Sequence, residues 1–530
     1  MTHIVEFFKS LKAPWLFAAG AALCMSFVAV WWGSLNQDEG WYLYAAQMVH
    51  AGRFPYHDFF FTQGPALPFV YSILSPIWTS PGSPLQGLLG GRILTLLFGL
   101  GATFCAVALA RSLVPADRRG LAGLSVFALL GCNLYHLYFT AIPKTYALGS
   151  FFVLSGFLFL ARGLRAGVAR ARGWWGPFSA GLLLAFATGT RISLLLILPV
   201  VGFALLFNFR TFRWQFLPFG VGGLLGLILT YGVFALDPTS FQSLMAAQSY
   251  HAARGGFDPF FAIGSVSRLA RGYAALGIVM FAAFCLRGRV ASTASRDPVA
   301  FGLQWMLGLS FAAVFCLQLS APFPYDDYQV PLMGLLTVLI VSWYCRSEGS
   351  SAPRAWFAVM AACVVSFTSP MLQEWATYSQ DRFWSQKKPQ TELAQLRAVA
   401  RQLNELDPGG TTLLTQDLYL AVEAGRTVPA GLEMGPFSYF PEMSTDRAQL
   451  IHVMNKERMT ALLDAAPCTA AALSGYAFAI SVPVCTETPQ ADQDAFRARV
   501  AAKYDAVAKI PRFGQNATPL VLLKRKGGAE

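Results

Sequence analysis

Apolar residues fill the first two thirds of the chain in long runs broken by short polar gaps, a pattern of membrane helices rather than of half-buried faces. A helix needs about 20 mostly apolar residues to cross a hydrocarbon core. Roughly eleven runs approach that length, near 14–35, 91–111, 120–140, 146–164, 177–190, 192–208, 214–235, 272–287, 299–319, 329–345 and 355–371. The fifth and sixth are short and separated only by Gly189, Thr190 and Arg191, so they read either as a helical hairpin or as one broken helix. The apolar piece Gly64 to Trp78 is not read as a span, because Pro65, Pro68 and Pro76 interrupt it and a Pro- and Gly-rich stretch follows. The segment 36–90 then becomes one long outer loop whose helices lie along the interface, with Trp41, Tyr42, Tyr44 and Trp78 as interfacial residues. The first run is too long for a signal-peptide core and lacks a small-residue cleavage site, so it is read as a retained helix.

After Leu372 the pattern changes to that of a soluble protein. Helical periodicity near 390–406, 445–464 and 490–504 interleaves with strand-like runs at Thr411–Thr415, Tyr476–Pro483 and Pro519–Leu523. The expected fold is a polytopic α-helical membrane protein with about eleven transmembrane helices and a C-terminal soluble α/β domain. Its expected divisions are 1–372, containing the outer loop 36–90, and 373–530.

Composition agrees with the pattern: 55% of residues are hydrophobic and 13% charged, and the mean hydropathy is +0.47. The net charge of +12 comes from Lys and Arg in alternate gaps, without the basic stripe that nucleic acid would require. These gaps include Lys9 and Lys12, Arg118 and Arg119, Arg170 and Arg172, Arg210 and Arg213, Arg287 and Arg289, and Arg346 and Arg354. The positive-inside rule makes them cytoplasmic, which puts the N-terminus inside and the C-terminal domain outside, periplasmic if the membrane is a bacterial inner membrane. Seven cysteines lie within apolar runs and show no metal-ligand spacing. Cys468 and Cys485, outside them, are either a disulfide pair or two separate thiols.

Chemistry concentrates just after the first helix, in Asn36-Gln37-Asp38-Glu39-Gly40-Trp41-Tyr42, then Gly52-Arg53-Phe54-Pro55-Tyr56-His57-Asp58, then Thr62-Gln63-Gly64-Pro65. Acids at the mouth of a membrane helix are costly unless they face water or a polar cavity, which marks Asp38 and Glu39 as functional candidates. An acid capping the interfacial helix is the alternative for each. These motifs, with the order of spans and the outer C-terminal domain, resemble the GT-C glycosyltransferases. The likeness is closest to the branch of the protein O-mannosyltransferases, the lipid A aminoarabinose transferase and the rhizobial lipopolysaccharide galacturonosyltransferases. The resemblance implies that Asp38 is the catalytic base and that the reaction inverts the sugar. It also implies a polyprenyl-phosphate-linked sugar donor and a glycolipid, glycan or protein acceptor. Chemistry is consistent with this: the departing phosphate is already a good leaving group, so one carboxylate for the incoming hydroxyl and cations for the phosphate suffice.

Lys144, Arg191 and Arg254 are the candidate donor-phosphate residues, at outer helix ends or in an outer loop. Many relatives carry an Asp-Pro step near the end of the third span, where this chain has Pro143-Lys144, and that departure argues against a second acid there. The candidate sugar or acceptor contacts are Tyr42, Tyr56, His57, Asp58, Gln63, His251, Tyr325, Asp326, Asp327 and Tyr328, because rings cover a sugar's apolar face while polar groups bond its hydroxyls. Asp326, Asp327 and Asp38 make no full oxygen-ligand pattern for a divalent ion, so no cofactor or metal is expected. Membrane lipids are expected partners and nucleic acid is not. A Gly, Pro and aromatic segment, Gly431 to Phe440, reads as an active-site cover or as an ordinary loop. The competing functions are a lipid-linked oligosaccharide ligase or polymerase, and a secondary transporter; the absence of an evident internal repeat speaks against the last.

Overall fold

The computed structural model describes residues 12–80, 82–167, 171–207, 213–252, 259–260, 263, 273, 276–281, 297–321, 326–346, 359–364, 390–475 and 488–527. The chain divides into two compact units, one of residues 1–30, 94–230 and 257–384, the other of 31–93, 231–256 and 385–530. Both are discontinuous, and residues 31–93 belong to the same unit as the C-terminal segment.

Six described helices are long and apolar enough to cross a membrane: Pro14–Trp31, Leu88–Leu113, Thr145–Ala166, Phe216–Leu236, Pro298–Leu319 and Asp327–Arg346. The expected third span is broken, with Ala116–Gly131 and Leu134–Ala141 meeting at 68°. Asn133 causes the restart, since its side chain accepts the His136 N–H at 3.1 Å and so caps the second piece. Between the expected fifth and sixth spans, the helix Trp175–Thr190 ends at Arg191, whose backbone is extended, and a 3-10 turn at Ile192–Leu196 leads into Ile197–Phe207. The expected eighth and eleventh spans are described only at 273, 276–281 and 359–364.

Lipid tails are as apolar as the side chains of membrane helices and give them no hydrophobic reason to associate, so close backbone approach does much of the work. A Cβ on Gly181 would stand 2.0 Å from the Phe219 carbonyl oxygen, and one on Gly222 2.0 Å from that of Phe178. No residue larger than glycine fits either crossing between Trp175–Thr190 and Phe216–Leu236.

The second unit holds a four-stranded sheet in the order β1 (Leu413–Leu414), β2 (Ala470–Leu473), β4 (Thr518–Arg525), β3 (Tyr504–Phe513). β1 and β2 are parallel, while β4 runs antiparallel to both β2 and β3. Helix Glu392–Leu406 buries Leu393, Leu396, Val399, Ala400 and Leu403, the one-face spacing of an amphipathic helix. Helix Gln490–Lys503 follows the sequence expectation, whereas 445–464 is two helices, Thr445–Leu450 and Lys456–Ala465, separated by the capping residue Asn455. The expected strand Tyr476–Pro483 lies outside the described residues.

Carboxylates of the C-terminal segment hold the backbone at both ends of the segment between the first two membrane-length helices. Glu392 accepts the Leu35 N–H at 2.6 Å, and Glu423 accepts the Leu88 N–H at 2.8 Å. Burial pushes the Glu423 carboxyl up, against the opposing Leu88 N–H and Arg397. Helix Gln37–His50 packs on Leu418–Ala424 so closely that a Cβ on Gly40 would stand 2.2 Å from the Tyr419 nitrogen.

Candidate active site

Asp38 occupies the first turn of Gln37–His50, whose N-terminus Asn36 and Glu39 close with a reciprocal capping box. The Asn36 side chain accepts the Asp38 N–H at 3.1 Å, and the Glu39 Oε1 accepts the Asn36 N–H at 2.9 Å. Glu39 is fully buried and its two oxygens also receive Arg92, from Nε at 2.7 Å and from Nη2 at 2.8 Å. Arg92 is itself fully buried and donates further to the Gly33 carbonyl at 2.9 Å and the Ser34 carbonyl at 3.1 Å. This bidentate pair satisfies both charges and fixes the backbone on either side of Asp38. Glu39 therefore acts on the helix start, and its carboxylate is committed to Arg92. Asp38 is only partly buried and accepts the Trp41 indole N–H at 3.3 Å.

The remaining first-loop candidates divide by burial. Tyr42 is buried and stacks on Trp41 at 3.8 Å between ring centroids. Tyr56 is fully buried with a left-handed φ of 66°. Its hydroxyl donates to the Gln63 carbonyl and its ring meets Phe234 edge-on at 5.1 Å, so it holds the turn together. Gln63 contributes that backbone carbonyl. His57 is exposed and pairs with Asp58 at 3.0 Å, and Asp58 also accepts the Phe54 N–H at 2.6 Å. Partial burial raises the Asp58 carboxyl, but the Phe54 N–H, His57 and Arg53 more than offset it and hold the group below its ordinary value.

The segment Gly431 to Phe440 packs on these first-loop residues. Phe437 meets Trp41 edge-on at 6.3 Å and Phe440 meets Phe60 at 5.8 Å. Arg53 reaches the buried Glu433 at 3.4 Å, and Glu433 accepts the Gly431 N–H at 2.7 Å. Burial of Glu433 outweighs these partners and pushes its carboxyl up to about 7.

A second cluster lies in the membrane unit. The nearly buried Lys144 ammonium sits 2.8 Å from Asp327, and the Tyr146 hydroxyl donates to the same carboxylate oxygen at 2.9 Å. The Arg191 guanidinium lies 4.0 Å from the Tyr328 ring centroid and 5.3 Å from that of Tyr146. Four sequence candidates, Lys144, Arg191, Asp327 and Tyr328, thus come together from segments far apart in the chain. Among the described side chains of this cluster, two cations, Lys144 and Arg191, accompany one carboxylate, Asp327, a balance suited to an anion.

Sequence reasoning missed Arg92 and Tyr146. A lone arginine inside an apolar run was the available signal for Arg92; Tyr146 offered none, being one aromatic among many. Tyr325, Arg254 and Cys485 lie outside the described residues, as do the side chains of Asp326 and His251. Cys468 is buried with a free thiol. Among the described residues no group of three or more His, Cys, Asp or Glu could hold a metal ion.

No family model matches the chain. No curated protein matches it either. Solved structures do. ArnT from Cupriavidus metallidurans bound to undecaprenyl phosphate aligns over 96% of this chain and 97% of its own, with TM-score 0.59 and 13% identity. ArnT in the apo state gives the same coverage and TM-score at 14% identity. The Archaeoglobus fulgidus oligosaccharyltransferase tethered with an acceptor peptide aligns over 97% of this chain and 74% of its own, with TM-score 0.50 and 11% identity. The chain is a helical protein, with helices long and apolar enough to cross a membrane, that shares the fold of these structures.

Proposed function

We propose that the protein is a membrane glycosyltransferase that moves a single sugar from a polyprenyl-phosphate donor to a hydroxyl acceptor, with inversion and with Asp38 as base. The observation that carries this reading is a partly exposed carboxylate fixed at a helix start by a buried Glu39–Arg92 pair. Such a preorganised base is what an incoming hydroxyl requires. In the reaction the acceptor oxygen bonds to the anomeric carbon from the side opposite the phosphate. The carbon–oxygen bond to the phosphate breaks with its electron pair going to the phosphate, and the hydroxyl proton passes to Asp38.

Lys144 and Arg191 are the donor-phosphate residues in this reading, with Asp327 and Tyr146 orienting the ammonium and Tyr328 the guanidinium. Two further points support it: ArnT carries undecaprenyl phosphate, and its fold matches along the whole length of both chains. The oligosaccharyltransferase match spans a smaller share of that protein, which favours single-sugar transfer over oligosaccharide ligation. The distribution of basic gaps supports outer-face chemistry with a cytoplasmic N-terminus in this reading.

The test is to present purified protein in nanodiscs with a panel of radiolabelled polyprenyl-phosphate monosaccharides and extracted membrane acceptors. Transfer from one donor, releasing polyprenyl phosphate one for one, is the expected result. Transfer of preassembled oligosaccharide alone would replace the reading with the ligase.

A further inference from the structure

Trp41 stands one helical turn after Asp38 in Gln37–His50, and its indole N–H donates to the Asp38 Oδ1 at 3.3 Å. Sequence places this tryptophan at the membrane interface, yet only 4% of it is exposed, so its ring offers no face for a sugar to lie on.

Other rings hold the indole in place. Tyr42 stacks on it at 3.8 Å between centroids, the fully buried Phe61 meets it edge-on at 5.7 Å, and Phe437 does so at 6.3 Å. Phe437 is itself tied to the helix start. Its 3-10 turn, Gly435–Ser438, packs so tightly on the Gln416 carbonyl that a Cβ on Gly435 would stand 2.4 Å from the oxygen. The same oxygen accepts the Gln37 side-chain N–H at 3.0 Å. One carbonyl thus keeps the turn that carries Phe437 in register with the helix start that carries Asp38.

The terminal torsion of an aspartate is broad and two-fold, so a place in a helix's first turn does not by itself aim the carboxylate. A donor on one oxygen does so when packing holds the donor still. We propose that Trp41 is the positioning residue of the base, its indole aiming the Asp38 carboxylate at the incoming hydroxyl. The inference rests on the reading of Asp38 as base. Two effects oppose each other. A carboxyl group accepts less strongly than a carboxylate, so the indole bond resists proton transfer by about tenfold at most. Misplacing reacting groups by about 1 Å costs about 100-fold. Orientation wins, and losing the N–H slows transfer by about tenfold.

The experiment is single-turnover transfer by the full chain in nanodiscs, across a range of concentrations of the accepted polyprenyl-phosphate sugar. Trp41→Phe removes the N–H with part of the ring. The isostere 3-benzothienylalanine, installed at position 41, keeps the shape and replaces the N–H with sulfur. Both should react about tenfold more slowly at saturating donor, with half-saturation unchanged, and the isostere should melt with wild type. In an Asp38→Asn background, Trp41→Phe should change the residual rate by less than about twofold, because the group it positions no longer takes the proton. A wild-type rate in the benzothienylalanine protein overturns the inference. So do equal fold losses from Trp41→Phe in both backgrounds, which make Trp41 a packing residue, or a raised half-saturation at unchanged maximal rate, which makes it a donor contact. Asp38→Asn reacting at the wild-type rate would instead sink the base reading, an outcome read from the Asp38 variant alone and separate from any result at Trp41.

Discussion

Replacing Glu39 with glutamine keeps the side chain's shape and removes its charge, leaving Arg92 with both faces buried and its main anion gone. Both groups are fully buried and joined by two short bonds, at 2.7 and 2.8 Å. Removing one partner of such a pair costs about 3–5 kcal/mol, because the remaining charge keeps its desolvation penalty. The capping interaction with the Asn36 N–H weakens as well, adding about 1 kcal/mol. Glu39→Gln should therefore lower the melting temperature by many degrees, and transfer should fall with it because Asp38 loses its frame. The double variant Glu39→Leu/Arg92→Met, with no charge left to desolvate, should recover most of the stability. The assay is thermal unfolding of protein in nanodiscs beside single-turnover transfer. A Glu39→Gln protein that melts with wild type would refute the reasoning that the pair anchors the helix start.

Glu433→Gln should behave in the opposite way. Its carboxyl is raised from 4.5 to about 7, so the folded state binds its proton more tightly than the unfolded state. That contribution is fully present below pH 4.5 and is lost as pH rises through 7. The gap corresponds to ~3 kcal/mol at most, so the glutamine variant should match wild type near pH 5 and melt higher at pH 8; identical melting curves at pH 8 would contradict this. Lys144→Met should raise the donor KM about 10- to 100-fold, the worth of one charge-assisted contact, while Lys144→Arg keeps part of the affinity; an unchanged KM in both would remove Lys144 from the phosphate site. Gly40→Ala forces a methyl to within 2.2 Å of the Tyr419 nitrogen, a backbone atom that cannot swing away. It should cost about 1–3 kcal/mol, read as a lower melting temperature and faster proteolysis near Leu418–Ala424.

The long apolar runs were legible because a membrane helix is set by length and hydropathy alone, and the start of helix Gln37–His50 was signalled by the acids Asp38 and Glu39, although its cap proved to be Asn36. The break at Asn133 was not, since one polar residue in an apolar run reads equally as a satisfied helical position. Strand β2 escaped because Ala470–Leu473 has little β propensity, and β3 because it is mostly exposed and carries Pro511. The Lys144–Asp327 and Glu39–Arg92 pairs join residues 183 and 53 positions apart, and residue type alone cannot tell which acid meets which cation. Sequence therefore found Lys144, Arg191, Asp327 and Tyr328 of the membrane cluster but not Tyr146 or the pairing, and of its two readings for Glu39, a reactive acid or a helix cap, the geometry displays the capping contact. The place of residues 31–93 with the C-terminal segment also rests on long-range bonds, Leu35 to Glu392 and Leu88 to Glu423, that no local pattern encodes.

The central claim is that Asp38 is the base. Asparagine keeps the shape of the side chain and an oxygen that can accept the Trp41 indole N–H, so Asp38→Asn removes the base with the least change to the helix start. The measurement is single-turnover transfer from the accepted polyprenyl-phosphate sugar by Asp38→Asn and wild type, at equal amounts of protein with equal melting temperature. The account predicts a rate 10²- to 10⁴-fold lower for the variant, the usual contribution of a general base, with donor affinity unchanged. A variant that transfers at the wild-type rate would contradict it and return Asp38 to the role of a helix-start residue.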